Sequence, residues 1–351
     1  MVTYTDIRGI WVPRWSLSDE NRIFTYLDDE FNHIFLQVFA LGEAYYPSVY
    51  APSKRSSDVW LKEFLTEAHR RNIKVSAWIN THYSWGFAPY TKDERHPINS
   101  HPAWFLVDNS GRSMLDYDVE EIQRLGLEGY YLSPAHPGVQ AYLFAIAHEI
   151  MEKYAFDGIH LDYVRYPGPR FKDEVSLRTK FTRVYYIDPE MSFNEEFDKQ
   201  HYGIWGCDDL RDKWRSFAHE DLTAFIKRLN ESVKQRYPSA IVSAAVKPNY
   251  VSAKNDFNQN WLSWLDCGYV DLVCLMAYTK HLKNYLTKTK NAVKDPQRVA
   301  FGLALYILNP ETIQSQVQLV DDQPFGGVVY FSYDQLKENR AYLNALKNAI
   351  H

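Results

Sequence analysis

Short apolar runs alternate with longer stretches of helical spacing along the whole chain, a pattern that marks an α/β fold. Eight runs read as strands: Ile7–Val12 (IRGIWV), His33–Ala40 (HIFLQVFA), 74–79 (KVSAWI), 156–161 (FDGIHL), 240–246 (AIVSAAV), 270–277 (VDLVCLMA), 299–306 (VAFGLALY) and Gly327–Phe331 (GVVYF). Helical patterns fill the intervals, at 58–71, 137–154, 212–237, 261–265, 282–293, 310–320 and 337–350. In the first of these, Trp60, Leu61, Phe64, Leu65 and Ala68 recur on one helical face.

Eight strand-then-helix units in one series, with no linker between halves and no phosphate-type glycine loop, predict a closed (β/α)8 TIM barrel. A doubly wound sheet would alternate in the same way, but this unit count favours closure. The reading is one domain over residues 1–351. Its longest loops follow strands two, three and four, and an insertion at about 167–209, rich in Pro, acidic and aromatic residues, lies over the C-terminal face. Barrels of this kind carry their sites on that face.

The fold narrows the chemistry to residues at or just past the strand ends. These are Trp11 and Arg14, Gln37 and Glu43, Trp78 and Asn80, and His160, Asp162, Arg165 and Tyr166. The later strands add Lys247 and Asn249, Met276 and Tyr278, Tyr306, and Tyr333 with Asp334. Side chains alternate along a strand, so Gly158, His160 and Asp162 share one face of strand four. With that face inward, Asp162 stands at the open mouth, ionised beside Arg165 and able to act as nucleophile or base. The competing reading is a strand-end aspartate that caps a loop.

Glycoside cleavage needs a second carboxyl group that donates a proton to the leaving oxygen. Glu43, in the loop after strand two, is the first candidate, and its alternative is a solvated loop acid. Asp334, Asp116, Asp118 and Asp208 stand behind it. His160 reads equally as a satisfied barrel histidine or a substrate hydrogen-bonder. Lys247 could bind a charged substituent or hold a carboxylate ionised, and Trp78, Trp85, Tyr166 and Tyr278 could be sugar platforms or wall packing. His82, His96 and His101 share a loop but form no H-x-H or H-E-x-x-H spacing, so no metal is expected.

Composition changes the picture little. The hydrophobic share is 46% and the charged share 24%, which excludes wholesale disorder. A net charge of −5 without a basic block argues against a nucleic-acid partner. Aromatic residues make up 16% of the chain, which favours a ligand with flat faces. Cys207, Cys267 and Cys274 have neither metal nor disulfide spacing. No apolar stretch is long enough for a membrane span. The opening residues lack the parts of a signal peptide, pointing to the cytoplasm, with the periplasm or secretion as the alternative where a leader has been removed.

Several stretches together resemble the glycosyl-hydrolase-like family 10 proteins, a bacterial group. They are Arg8-Gly-Ile-Trp-Val12, NHIFLQVFALGEAYYPS at 32–48, KYAFDGIHLDYVRYPG at 153–168, VDLVCLMAYT at 270–279 and GGVVYFSYDQL at 326–336. The linking pieces AWIN at 77–80, Trp214-Arg215 and Val246-Lys-Pro-Asn249 agree, so the resemblance covers nearly the whole chain in order. It implies a barrel that hydrolyses glycosidic bonds. One branch of the family resembles hydrolases of peptidoglycan strands stripped of stem peptides. Asp162 falls on the family's strand-four aspartate, and Glu43 falls where many members have Asp or Glu. Lys247 falls where others often have an apolar or aromatic residue, which implies a different specificity. The resemblance also implies export.

The expectation is therefore a glycoside hydrolase without cofactor, with Asp162 as nucleophile or base and Glu43 as acid. Asn80, Trp78, His160, Arg165, Tyr166, Lys247, Tyr278 and Tyr306 would bind the carbohydrate. The first rival is a catalytically silent carbohydrate-binding barrel. A metal-assisted hydrolase using the loop histidines and a Schiff-base enzyme using Lys247 are the others.

Overall fold

The computed structural model describes residues 6–27, 30–171, 174–189, 200 and 203–350, with side chains for all of these except 18–21, 203–209, 349 and 350. Eight strands form the barrel: β1 (Ile7–Val12), β2 (His33–Ala40), β3 (Lys74–Asn80), β4 (Gly158–Asp162), β5 (Ile241–Val246), β6 (Leu272–Met276), β7 (Val299–Ala304) and β8 (Gly327–Phe331). Each pairs in parallel with the next, and β1 pairs with both β2 and β8, closing the ring. The expected (β/α)8 barrel is the observed fold.

The strands are almost wholly buried because both of their faces are covered. Outward side chains join a large core shared with the surrounding helices, including Ile34, Leu36, Ile79, Ile159, Leu161 and Val242. Inward side chains form a separate small core of Ile7, Trp11, Phe35, Trp78, Ala245, Leu272, Cys274, Ala300 and Val329. Trp11 fits inside the ring because β7 offers Gly302 opposite it. A Cβ at Gly302 would stand 2.9 Å from the indole Cη2. A bulge between Gln37 and Phe39 shifts the β2–β3 register, and both Val38 and Phe39 join the outer core.

The helix Val59–Arg70 buries the five apolar residues that predicted it. Other helices depart from expectation. The long helix before β5 spans Gly203–Arg236, beginning well before 212, where the pattern placed its start because the apolar stripe of Trp214, Ala218, Leu222, Phe225, Leu229 and Val233 begins only at Trp214. A helix at Val175–Tyr185, capped by the Glu174 carboxylate, occupies part of the expected insertion. Asn249 accepts from the N–H groups of Val251 and Ser252 and opens an unexpected helix, Tyr250–Phe257. The C-terminal pattern folds as two helices, Tyr333–Glu338 and Ala341–Ile350. β4 begins two residues later than its apolar run. Phe156 packs in the outer core, and the Asp157 carboxylate accepts from Val75 N at 2.7 Å and contacts His69, fixing the strand entry.

Among the described residues no helix is long and apolar enough to cross a membrane.

Candidate functional site

Register brings the site together. β3 and β4 pair Trp78 with His160 and Asn80 with Asp162, so the two strands present matching inward positions at their C-terminal ends. A cavity of about 460 Å³ opens there, lined by Gln37, Trp78, Asn80, Asp162, Met276 and Phe331 from the strands. Arg14, Trp15, Tyr83, Glu128, Tyr163, Arg165, Lys247 and Tyr278 complete its wall from the loops. Below it lies a polar floor. Trp11 donates its indole N–H to His160 Nε2 at 3.0 Å, so the ring's proton sits on Nδ1 and is donated to Ser243 Oγ at 2.9 Å. Burial, with His33 nearby, drives the His160 pKa well below its ordinary value, and the ring is a neutral core histidine.

Asp162 is 7% exposed. Its Oδ1 accepts from Tyr163 N at 2.7 Å, and its Oδ2 accepts from Trp78 Nε1 at 3.1 Å. Burial raises its pKa, with Glu128 adding in the same direction. Arg165, the Tyr163 N–H and the Trp78 indole act against that rise. The expected ionised carboxylate is thus held towards its protonated form, because loss of water outweighs the neighbouring cation. Tyr163 lies at φ +53, in the left-handed region that a β-carbon disfavours. That turn directs Tyr163 and Arg165 to the cavity, and such local strain concentrates at functional sites.

The second carboxyl group in the cavity is Glu128. It stands in the sequence Gly126-Leu-Glu-Gly129, between a short helix ending at Arg124 and the strand Tyr130–Tyr131. That strand pairs antiparallel with Tyr83–Trp85. Gly129 sits at φ +150, and a Cβ there would lie 2.2 Å from the Trp85 carbonyl oxygen, so only glycine lets the chain turn Glu128 onto the cavity wall. Glu128 Oε2 accepts from the Tyr131 hydroxyl at 2.8 Å, and Oε1 lies 3.4 Å from Arg165 Nη2. Tyr83 donates its hydroxyl to the Glu128 carbonyl at 3.0 Å. The sequence reading missed Glu128 because it lies far from any strand end. Its signal was an acid flanked by two glycines inside the longest loop.

Three cations face these two acids. Arg165 is 3% exposed and lies 4.4 Å from the Tyr163 ring centroid. Arg14 donates its backbone N–H and Nη1 to Gln37 Oε1, and Gln37 passes a hydrogen bond to Asn80 Oδ1 at 3.1 Å. Lys247 is half-buried, with its ammonium 4.9 Å from the Phe257 ring centroid, and burial lowers its pKa. On the aromatic side, Tyr278 stacks on Phe331 at 5.6 Å between centroids.

Of the anticipated site residues, Asp162, Asn80, Trp78, Arg165, Lys247 and Tyr278 meet in this one cavity. Others are elsewhere. Glu43 pairs across a hairpin with Ala40, and its buried carboxylate takes an ion pair from Lys54 at 2.9 Å, away from the cavity lining. His160 is in the floor. Tyr166 is 1% exposed within the outer core. Tyr306 is 55% exposed at the rim, edge-on to Tyr278 and Phe331. Trp85 is buried and donates to the Ala88 carbonyl.

Three of the four reserve acids are structural. Asp334 accepts from Trp15 Nε1 and from the Ser16 and Ser332 hydroxyls. Asp116 and Asp118 serve capping boxes. The side chains of Cys207 and Asp208 lie outside the described residues. The loop histidines are spent separately: His82 contacts Thr81 and the Tyr163 carbonyl, His96 donates to the Leu41 carbonyl, and His101 stacks on Trp104. Among the described residues no three His, Cys, Asp or Glu side chains gather as a metal site would need.

A larger hollow, about 590 Å³, lies against Lys74, Asp157, Tyr237 and Ile241. Its lining residues stand where strands begin, the face that serves stability rather than chemistry in such barrels. Its one strand-entry carboxylate, Asp157, is already committed to Val75 and His69.

Comparison with known proteins places this geometry. Glycosyl hydrolase YngK of Bacillus subtilis (strain 168) is 21% identical over 398 residues, covering 95% of this chain and 69% of that protein. Glycosyl hydrolase DigH of Escherichia coli (strain K12) is 30% identical over 166 residues, covering 42% of this chain and 34% of that protein. The chain thus matches about a third of DigH's length. Among solved structures, the PgaB (BpsB) glycoside hydrolase domain from Bordetella bronchiseptica superposes with a TM-score of 0.72 at 16% identity, over 98% of both chains. A GH18 chitinase from Cycas revoluta in complex with (GlcNAc)3 follows at 0.57 and 11% identity, over 98% of this chain and 100% of that one. The profile of the family described as glycosyl hydrolase-like 10 matches residues 6–315, and the chain belongs to that family.

Proposed function

We propose that this barrel hydrolyses O-glycosidic bonds of a polysaccharide in the cavity at the end of β4. One observation supports the reading most directly: a buried carboxyl group held towards its protonated form, Asp162, lines the same cavity as a second carboxylate, Glu128. Environments that separate two acids assign them different roles. Asp162 gives its proton to the leaving glycosidic oxygen as the C–O bond breaks. Glu128 then serves the anomeric carbon, by activating water or by direct attack, as charge develops on the sugar. Glu128 replaces Glu43, whose carboxylate is occupied by Lys54, as the second carboxyl group, and the expected roles reverse, with Asp162 as the acid and its partner as nucleophile or base.

The remaining groups hold these two. The Trp78 indole and the Tyr163 N–H fix the Asp162 carboxyl plane. The Arg14–Gln37–Asn80 chain presents oriented amides to sugar hydroxyls, and the rings of Tyr278, Phe331 and Trp15 offer apolar faces. The family resemblance, one branch of which points to peptidoglycan strands, favours a bacterial cell-wall glycan as the polymer, and the matched YngK and DigH are glycosyl hydrolases of bacteria.

The test is incubation with a panel of polysaccharides, peptide-free peptidoglycan strands among them, followed by mass analysis of fragments. Asp162→Asn and Glu128→Gln should each abolish cleavage, while Glu43→Gln should keep it within about twofold, since the Glu43–Lys54 pair stands outside the cavity and its half-exposed lysine keeps its loss small. Retained cleavage in Glu128→Gln would overturn the pairing. Saturable binding of a glycan without any cleavage would make the protein a silent carbohydrate-binding barrel.

A further inference from the structure

The cavity holds more positive charge than its two acids use. Arg14, Arg165 and Lys247 line it, against Asp162 and Glu128. Of these three cations, only Arg165 has a carboxylate partner among the described residues, Glu128 at 3.4 Å, which is a long contact for such a pair. Arg165 Nη1 is fully buried and has no hydrogen-bond partner. The Lys247 ammonium lies over the Phe257 ring, where only a cation–π contact is shown. Its backbone is held at both ends, the Lys247 N–H donating to Gln259 Oε1 at 2.8 Å and its carbonyl accepting from Trp261 Nε1 at 3.1 Å.

A buried donor on a guanidinium and a half-buried, unpaired ammonium are both costly unless a partner arrives. Both residues are placed by firm elements. Lys247 follows β5 directly, and Arg165 follows the Tyr163 turn after β4. Structural packing alone would favour an apolar residue in either place, because a stem of similar volume fills the wall without the desolvation. A carboxylate satisfies both groups. Its two oxygens match the planar fork of arginine, and lysine adds a point charge.

We propose that Arg165 and Lys247 form a subsite for a carboxylate carried by the sugar, so that the barrel selects an acidic glycan over its neutral counterpart. The inference rests on the carbohydrate reading above but not on cleavage. Lys247 sets the specificity, and Arg165 both binds the anion and steadies Glu128.

The experiment measures dissociation constants for matched ligands with the intact protein by NMR titration. Methyl glucuronide is compared with methyl glucoside, N-acetylmuramic acid with N-acetylglucosamine, and N-acetylglucosamine 6-sulfate serves as the non-carboxylate anion. At least one carboxylated ligand should bind about tenfold tighter than its neutral partner, the ratio that a single added charge-assisted hydrogen bond provides. Lys247→Met, of similar volume, should shrink that ratio below about twofold, and Lys247→Arg should retain it. Circular dichroism of both variants checks that they are folded.

Equal affinities within both pairs, no saturation by either carboxylate, or an unchanged ratio in Lys247→Met would overturn the proposal. Sulfate binding as tight as carboxylate would overturn the carboxylate assignment. Discrimination without cleavage of any polymer would defeat the hydrolytic reading alone, and cleavage of neutral chains without discrimination would defeat this inference alone.

Discussion

The indole N–H of Trp78 reaches one step along the neighbouring strand and donates to Asp162 Oδ2 at 3.1 Å. Trp78 pairs in register with His160, so the bond runs diagonally, from the barrel's interior layer to its mouth. It ties the packed aromatic core to the group that carries the proposed chemistry. It also favours the charged form of Asp162 against the dominant effect of burial. Trp78→Phe should therefore move the Asp162 titration further up, with the fold kept. Carboxyl-carbon NMR of aspartate-labelled protein measures this, and a midpoint that stays or falls would contradict the assigned bond.

Glu128 acts on the same group from the other side, since its charge raises the Asp162 pKa. Glu128→Gln should lower the Asp162 midpoint. The Trp78 indole proton, bonded to the titrating oxygen, is a built-in reporter for NMR. An unmoved midpoint would separate the two carboxyls electrically and leave the acid without its partner.

Asp162→Asn should cost at least about 10²-fold in cleavage, the scale of a lost general acid. Its stability difference from the parent should also depend on pH. A carboxyl whose folded pKa is raised weakens the folded state as pH rises past its ordinary value of 3.8, because the unfolded chain releases its proton first. Asparagine lacks this penalty. The difference in denaturation midpoint, variant minus parent, should thus grow between pH 3 and neutrality, and a constant or shrinking difference would place Asp162 in a more solvated setting.

Buried histidines act in another window. Burial lowers the pKa of His33 to about 4 and of His82 to about 3, and that of His160 falls as well. The unfolded chain gains protons below its ordinary histidine pKa of 6.5 while these rings stay neutral, so stability falls as pH drops through 6.5. Each should remove about 1 kcal/mol between pH 7 and 5.5. Urea titration at both pH values checks the slope. His82→Phe should flatten it, because the ring packs beside Phe225 and its Nε2 has no partner.

Gly129→Ala should destabilise the protein by about 1–3 kcal/mol, the cost of a disfavoured backbone conformation. The added Cβ meets the Trp85 carbonyl, so the turn must shift and carry Glu128 with it. Cleavage should fall more steeply than stability alone explains. Urea unfolding and rates at a temperature where the variant is folded separate the two effects.

The periodicity of the chain determined the barrel. Strands β1, β2 and β8 coincide with their apolar runs to the residue, because strands buried on both faces need unbroken apolar sequence. Alternation along β4 likewise put His160 and Asp162 on the inward side. Sequence spacing could not tell what stands beside them, since water removal at Asp162 arises only when β3, β4 and the third loop close together. It equally could not separate Glu43 from Glu128. Both are loop acids, yet a hairpin hands Glu43 to Lys54 while a second one, turned at Gly129, brings Glu128 to the cavity. Local pattern governs which residues are buried, and long-range closure governs which charges meet.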